Sequence, residues 1–203
     1  MKTITAYKFV NEDMKSKNGD QKWEVGKWYR HEGGLSACSS GFHACESPLN
    51  SLEYVYGDRW FVVEARGKII RKGDKFVASE MRLVRELDVK KILVPFSYLC
   101  ARRTLGNFEK VFPKDDRPRK AIEAAEAYVK CPCEKHEVAA QSAYLSANSA
   151  KSVAWSAESA AWSADSAVSS ESLSAEEPAV RSTVRSAERK WQEEQLKELI
   201  RKV

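Results

Sequence analysis

The chain has 203 residues, 34 basic and 29 acidic side chains, and a formal net charge of +5. Its 43% apolar residues and six tryptophans are enough for a folded core, which excludes a wholly disordered protein. No apolar run is long enough to span a membrane, and MKTITAYKFV lacks the features of a secretory signal. The five cysteines do not have the spacing of a disulfide-bonded secreted protein. We therefore expect a cytoplasmic protein that binds no membrane.

The first ninety residues favour strands and one short helix. The predicted strands are rich in aromatic and β-branched residues and are bounded by Asn, Asp or Gly: Thr3–Val10, Lys22–Arg30, Gly41–Cys45, Trp60–Ala65 with its continuation Gly67–Arg71, and Met81–Leu87. Ser47 followed by Pro48 combines an N-cap with proline at the first helical position, which predicts a helix through Tyr56. Asp88 can cap a second helix, through Lys91–Ala101.

The second half of the chain differs in composition. All nine glycines fall at or before Gly106, and the first 106 residues carry 19 basic and 13 acidic side chains, whereas the remaining 97 carry 15 and 16. Ala121–Val129 and Ala179–Val203 both have helical patterns. We therefore predict an α+β fold, in which a small β-rich mixed domain with one short helix (residues 1–95) precedes an alanine- and serine-rich, coiled-coil-like helical domain (residues 96–203).

An alanine repeat of seven residues runs through the second half. Residues 137–178 contain twelve alanines and twelve serines, and alanine recurs in two heptad columns. Alanine columns allow two helices to approach closely, which favours an oligomer or partner-binding seam and a homodimer. An unpartnered Ala/Ser-rich bundle and a disordered linker are the alternatives. The predicted seam residues are Ala147, Ala150, Ala154, Ala157 and Ala161, with Trp155 and Trp162 as exposed anchors.

Two stretches carry family resemblances. Cys38–Leu49 (CSSGFHACESPL), Val62–Ile69 and Arg82–Leu87 resemble a small domain of unknown function that is common in phage and bacterial genomes. Asp116–Ala125 (DRPRKAIEAA) and Glu188–Gln192 resemble a helical, alanine-rich immunity-protein family. Neither resemblance implies a reaction. Together they imply a phage or bacterial protein that acts in conflict with, or protection from, another protein.

Two groups of cysteine and histidine have spacings that could suit metal ligands: Cys38, His43 and Cys45, and Cys131, Cys133 and His136. Neither group has the C-x2-C spacing of a zinc knuckle, and about ninety residues separate them. We therefore expect no bound zinc and no cofactor. A cysteine nucleophile with His43 as its base would need a third orienting group and room for substrate, which alternate residues of one strand do not provide.

Two further function classes stay open. The order of a GFHA strand, a capped helix and a VVEARG strand resembles the core of ADP-ribosyltransferases, although no catalytic glutamate can be assigned and Glu64 is poorly placed on its strand. Basic residues and the tryptophans Trp23, Trp28 and Trp60 could bind nucleic acid, although the first half also holds 13 acids. With no convincing catalytic constellation, we favour a non-catalytic protein that binds another protein, such as a defence or toxin component.

Overall fold

The computed structural model describes residues 2–17, 21–37, 39–111, 113–114, 116–131, 133, 136 and 177–203. The chain forms two compact units, Met1–Val89 (unit 1) and Lys90–Lys202 (unit 2). Unit 1 holds the sheet, and the long helices run through unit 2.

Unit 1 is built on a five-stranded sheet in which every pair of named strands is antiparallel. The sheet order is β1-β4-β5-β2, and β3 pairs with β5 as well. The long β4–β5 hairpin turns at Gly73 and Asp74, the kind of pair that favours tight turns. The strands are β1 (Ile4–Val10), β2 (Tyr29–Arg30), β3 (Phe42–Ala44), β4 (Arg59–Lys72) and β5 (Lys75–Leu87).

The sheet closes on itself through the residue after β3. Tyr7 of β1 exchanges both backbone hydrogen bonds with Cys45, with N···O distances of 2.8 and 3.1 Å. Since β3 also pairs with β5, the hydrogen-bonded path β1-β4-β5-β3 returns to β1. Gly67, at φ +80°, lies in a register shift of β4 that bends the hairpin, as a β-bulge does. One face of the strands therefore lines a shared interior.

That interior is the core of unit 1. Its buried side chains are apolar and come from every strand of the closed path and from the loop before β2: Ala6, Val10, Trp23, Phe42, Ala44, Phe61, Val63, Ala65, Phe76, Ala78, Met81 and Leu83. The predicted strand Lys22–Arg30 shortens to β2, because Gly26 takes a positive φ of 85° and Trp23 turns inwards from a loop. Aromatic residues in that segment indicate burial and not strand structure.

A short helical segment covers the other side of β1 and β4. The helix α1 (Pro48–Ser51) continues into a 3-10 turn (Leu52–Tyr54). Its predicted cap is confirmed, since Ser47 Oγ accepts a hydrogen bond from the Asn50 backbone N–H at 3.1 Å. Trp60 is fully buried there, stacks on Phe9 at 5.4 Å and donates to Ser51 Oγ at 3.1 Å.

The described part of unit 2 is helical. Its helices are α2 (Val89–Val111), which starts at the end of unit 1, α3 (Arg117–Lys130) and α4 (Glu177–Lys202). The fully or nearly buried side chains of these helices include Ile92, Phe96, Cys100, Ile122, Leu196 and Ile200. A search of the described helices finds none that is both long and apolar enough to cross a membrane.

The predicted fold class is wrong in its architecture. Unit 1 is not a mixed domain, because the tight β4–β5 hairpin and the closure through Cys45 make one antiparallel sheet, and the chain is an α+β fold built on it. The described helices do not form the predicted alanine-packed coiled coil, because their buried positions include large residues such as Phe96 and Leu196. The alanine repeat itself lies outside the described residues.

Candidate functional site

The clearest candidate surface is the side of the β4–β5 hairpin that faces away from the core. Glu64 lies directly opposite Arg82, and Arg66 lies directly opposite Glu80, so side chains of opposite charge alternate across the two strands. The Arg82–Glu64 ion pair measures 2.7 Å, as does the Arg66–Glu80 pair. We call these four residues, with Trp28 and Val84, the Trp28 face.

Trp28 lies over both guanidinium groups. Its ring centroid is 4.0 Å from Arg66 Cζ and 5.1 Å from Arg82 Cζ, both within the range of a cation–π contact. The two glutamates fix the arginine side chains from the strand side, so the indole rests on an ordered, internally neutralised support. The two arginine side chains are thus ordered before any partner binds, which lowers the conformational entropy that binding would cost.

Apolar residues border this arrangement. The register shift between Val62 and Val63 leaves Val84 without a partner residue on β4, and its side chain is 37% exposed. Val25, which bridges to Leu83, is 52% exposed. Val84 follows Arg82 by two residues on β5, and Val25 precedes Trp28 by three residues, so exposed apolar side chains occur in both segments that form the Trp28 face.

The basic tip of the hairpin is less suited to nucleic acid than its sequence indicates. Arg71 is bound to Glu46 at 2.7 Å, and Lys75 lies 4.3 Å from the Tyr54 ring centroid. Of the three tryptophans considered for base stacking, Trp23 and Trp60 are buried in unit 1, which leaves Trp28. A tract that follows a phosphate backbone needs several uncommitted cations in a row.

A second notable group is Lys8, which projects into the core side of β1. Its side chain lies on the same face of β1 as the buried Ala6 and Val10. Its Nζ donates a hydrogen bond to the His43 carbonyl oxygen at 3.1 Å. Its ammonium is 5.8 Å from the centroid of the Trp23 ring. Burial lowers the pKa of Lys8 to about 8, and the neighbouring Cys45 offsets this only in part. Among the described residues, no carboxylate forms an ion pair with Lys8.

Neither neighbour of Lys8 makes it part of a nucleophilic pair. Burial raises the pKa of the Cys45 thiol to about 12, and Asp74 adds to the rise, so this thiol stays protonated. Burial and the charge of Lys8 lower the pKa of His43, which keeps the imidazole neutral at pH 7.

Replacing Lys8 by methionine is expected to stabilise unit 1 at pH 7 by about 2–3 kcal/mol, allowing for some solvent contact. The folded-state pKa lies below the unfolded-state one, so the cost of Lys8 is complete below pH 8. Between pH 8 and about 10.5 the unfolded chain holds a proton that the folded chain has lost, so wild-type stability rises there and the advantage of methionine disappears. Urea denaturation of both proteins from pH 6 to about 10 measures this. Lys72→Met, at an exposed position of β4, serves as the control and should change little.

The third group lies after the C-terminus of α3. Cys131, Cys133 and His136 place their ligand atoms within 4.8 Å of one another. The Cys133 sulfur is 3.3 Å from His136 Nδ1, which is also 3.0 Å from the Cys131 carbonyl oxygen. A hydrogen bond and the charge of Cys133 raise the pKa of Cys131. Of the other group considered from the sequence (Cys38, His43 and Cys45), Cys38 lies outside the described residues.

The predicted seam lies in the part of the chain that the structure leaves undescribed. This holds for all seven of its residues: Ala147, Ala150, Ala154, Ala157, Ala161, Trp155 and Trp162. Sequence reasoning missed Lys8 and the Trp28 face. The alternation of TITAYKFV already places Lys8 on the side of Ala6 and Val10, whereas the register that stacks Trp28 on two arginines has no local signal.

The closed antiparallel sheet followed by long helices defines an α+β protein of two units, and the comparisons with known families divide the chain in a similar way. A model described as Family of unknown function (DUF6931) matches residues 90–191, and the chain belongs to this family. A model described as Domain of unknown function (DUF7666) matches residues 4–94. No curated protein and no solved structure matches the chain. Neither description names an immunity protein or a reaction.

Proposed function

We propose that the protein is non-catalytic and acts by binding another protein through the Trp28 face. The observation that carries this proposal is the packing of the Trp28 indole over the guanidinium groups of Arg66 and Arg82, at 4.0 and 5.1 Å. Tryptophan and arginine are the residues most enriched at the energetic centres of protein interfaces. Here Arg66 and Arg82 lie on the β4–β5 hairpin, and Trp28, which immediately precedes β2, packs on both of them.

The rigidity of the Trp28 face supports its role in binding. A side chain that is mobile in the free protein loses about 0.5–1.5 kcal/mol of rotational freedom when a partner immobilises it. Arg66 and Arg82 are each tied to a glutamate on the opposite strand, so most of that freedom is already lost. Apolar contact with Trp28 and Val84 can then contribute to affinity with little opposing entropy.

The charges of the face indicate what kind of partner fits it. Arg66 and Arg82 are each paired with a glutamate, so the arginines under Trp28 are already neutralised, and Arg30, opposite Glu80, adds a single cation beside them. The surface of the partner should present an apolar or aromatic group to Trp28 and Val84, within a mostly neutral rim. Binding of this kind depends weakly on salt, whereas phosphate binding falls steeply with it.

The narrower parts of the proposal rest on the sequence. We infer a partner from a defence or toxin system, and a phage or bacterial setting, from the resemblance of Asp116–Ala125 to immunity proteins. A homodimer through the alanine seam is supported by the heptad repeat. The alternative of an ADP-ribosyltransferase-like enzyme gains no support from Glu64, whose carboxylate is bound to Arg82 and not presented to a substrate.

Affinity capture with two baits tests the proposal. Full-length protein and its Trp28→Ala variant are used to capture proteins from the cells that make it, and captured proteins are compared by quantitative mass spectrometry. We expect at least one protein to be retained by the wild type and depleted with Trp28→Ala. A Tyr54→Ala bait, which removes a 42% exposed aromatic side chain elsewhere in unit 1, should retain it. Equal capture by all three baits would contradict a role for the Trp28 face.

A further inference from the structure

The turn after α3 brings together two thiols and an imidazole within six residues. Cys131 and Cys133 are both exposed, and His136 is partly exposed. The ligand atoms of the three residues all lie within 4.8 Å of one another. Among the described residues, this is the one group of three or more His, Cys, Asp or Glu side chains close enough to share a metal ion.

The backbone of the turn holds the three residues in place. The Cys131 N–H donates the last helical bond, to the Ala127 carbonyl at 3.0 Å, and the extended backbone of Cys131 (φ −143°, ψ 91°) ends α3. The Cys133 N–H donates to the Cys131 carbonyl at 2.8 Å, and the His136 N–H donates to the Cys133 carbonyl at 2.9 Å. These hydrogen bonds link the backbones of the three residues, whose ligand atoms lie close together without a bound ion.

The distances suit a tetrahedral ion. With Zn–S bonds of about 2.3 Å and Zn–N bonds of about 2.0–2.1 Å, ligand atoms around zinc lie roughly 3.5–3.8 Å apart. The Cys133 sulfur and His136 Nδ1 are already 3.3 Å apart. Small side-chain rotations are therefore enough to place an ion between them, and the exposed turn allows the ion to enter from solvent.

We propose that Cys131, Cys133 and His136 form a zinc site with two thiolate ligands, one imidazole ligand and a fourth position open to water. Thiolate and imidazole are the ligands that zinc prefers, and the end of a helix, with its unpaired carbonyl groups, favours a cation. Binding releases the thiol protons to solvent and requires the imidazole proton to sit on Nε2, so that Nδ1 leaves the Cys131 carbonyl and binds the ion. This proposal replaces our expectation from sequence spacing that the protein binds no metal.

Cobalt substitution tests the site on the full-length protein. The protein is purified with a chelator and a phosphine reductant, its free thiols are counted, and Co²⁺ is then added. We expect one Co²⁺ per chain, with the sulfur-to-cobalt charge-transfer absorption of a two-thiolate tetrahedral site, and its displacement by Zn²⁺. Cys131→Ser and Cys133→Ser should each weaken the charge-transfer band, and each of these variants and His136→Ala should lower the affinity by about tenfold or more.

Two comparisons keep the result interpretable. Cys131 and Cys133 are exposed, so their serine variants should melt like the wild type without metal. Cys38→Ser removes a thiol from the other Cys/His group and should leave cobalt binding unchanged. The proposal is overturned if no charge-transfer band forms with reduced thiols, if the band survives both cysteine substitutions, or if Cys38→Ser abolishes it as well.

Discussion

Replacing Trp60 by alanine is expected to lower the free energy of unfolding of unit 1 by about 3–5 kcal/mol. Trp60 has no solvent exposure, and its ring stacks on that of Phe9 with an angle of 4° between the ring planes and 5.4 Å between the centroids. Its indole N–H also donates to Ser51 Oγ at 3.1 Å. The substitution removes a large buried surface, leaves a cavity between β1, β4 and α1, and breaks the contact that holds the short helix to the sheet.

Hydrogen exchange measures this loss in the intact chain. The slowest-exchanging amides of β1 and β4 should exchange much faster in Trp60→Ala, since their protection follows the free energy of opening unit 1. Trp28→Ala is the matched control, because it removes the same side chain from a half-buried position on the Trp28 face. The control should cost about 1–2 kcal/mol, the value of its two cation–π contacts. Similar exchange in the two variants would show that Trp60 does not pack as described.

Replacing Arg103 by alanine is expected to destabilise unit 2 by about 2–3 kcal/mol, because Glu188 is buried whereas Arg103 itself is 46% exposed. Its guanidinium Nε donates to Glu188 Oε2 at 2.6 Å, and Glu188 is only 4% exposed. Arg103 also lies over the Trp191 ring, 4.4 Å from its centroid. Removing the arginine leaves a carboxylate among buried side chains without its cation, which costs far more than the net value of the pair.

The neighbouring arginine provides a control for this prediction. Arg102 is 60% exposed and makes a long 3.5 Å ion pair with Glu126, so Arg102→Ala should change stability by less than about 1 kcal/mol. The double variant Arg103→Met with Glu188→Leu should recover most of the loss, because neither residue then leaves a buried charge. The free energy of unfolding of the three variants is measured by denaturant titration, with hydrogen exchange of the amides in α2 and α4 as the readout. Equal losses for Arg102→Ala and Arg103→Ala would contradict a buried ion pair.

Local signals predicted part of this structure. The Ser47–Pro48 cap and the buried strand beginning near Trp60 follow from residue types over a few positions, and both are confirmed. β5 begins at Lys75, six residues before the predicted strand, because Phe76–Ala78 pair with β3 on one side and β4 on the other. The Gly73–Asp74 turn signals this hairpin, and the pairing on both edges then extends the strand.

Contacts between residues that are far apart in the chain could not be predicted from the local sequence pattern. Arg103 and Glu188 are 85 residues apart in the chain, and nothing near either residue indicates its partner. The Trp28 face likewise depends on the register between β4 and β5, which the bulges at Val62 and Gly67 fix. The Cys131, Cys133 and His136 spacing was visible in the sequence, but its meaning depends on the turn that brings the three side chains together.

The most direct test of the proposed function is the dissociation constant between the purified chain and the protein it captures. Isothermal titration calorimetry should show that Trp28→Ala weakens binding about 30-fold or more. This is the effect of losing a hot-spot residue that contributes about 2 kcal/mol to the binding free energy. Tyr54→Ala should bind like the wild type. Wild-type affinity should change less than about threefold between roughly 50 and 500 mM salt, because the arginines of the face are already paired. Undiminished binding by Trp28→Ala, or an affinity that falls steeply with salt, would contradict the proposal that the Trp28 face binds a protein.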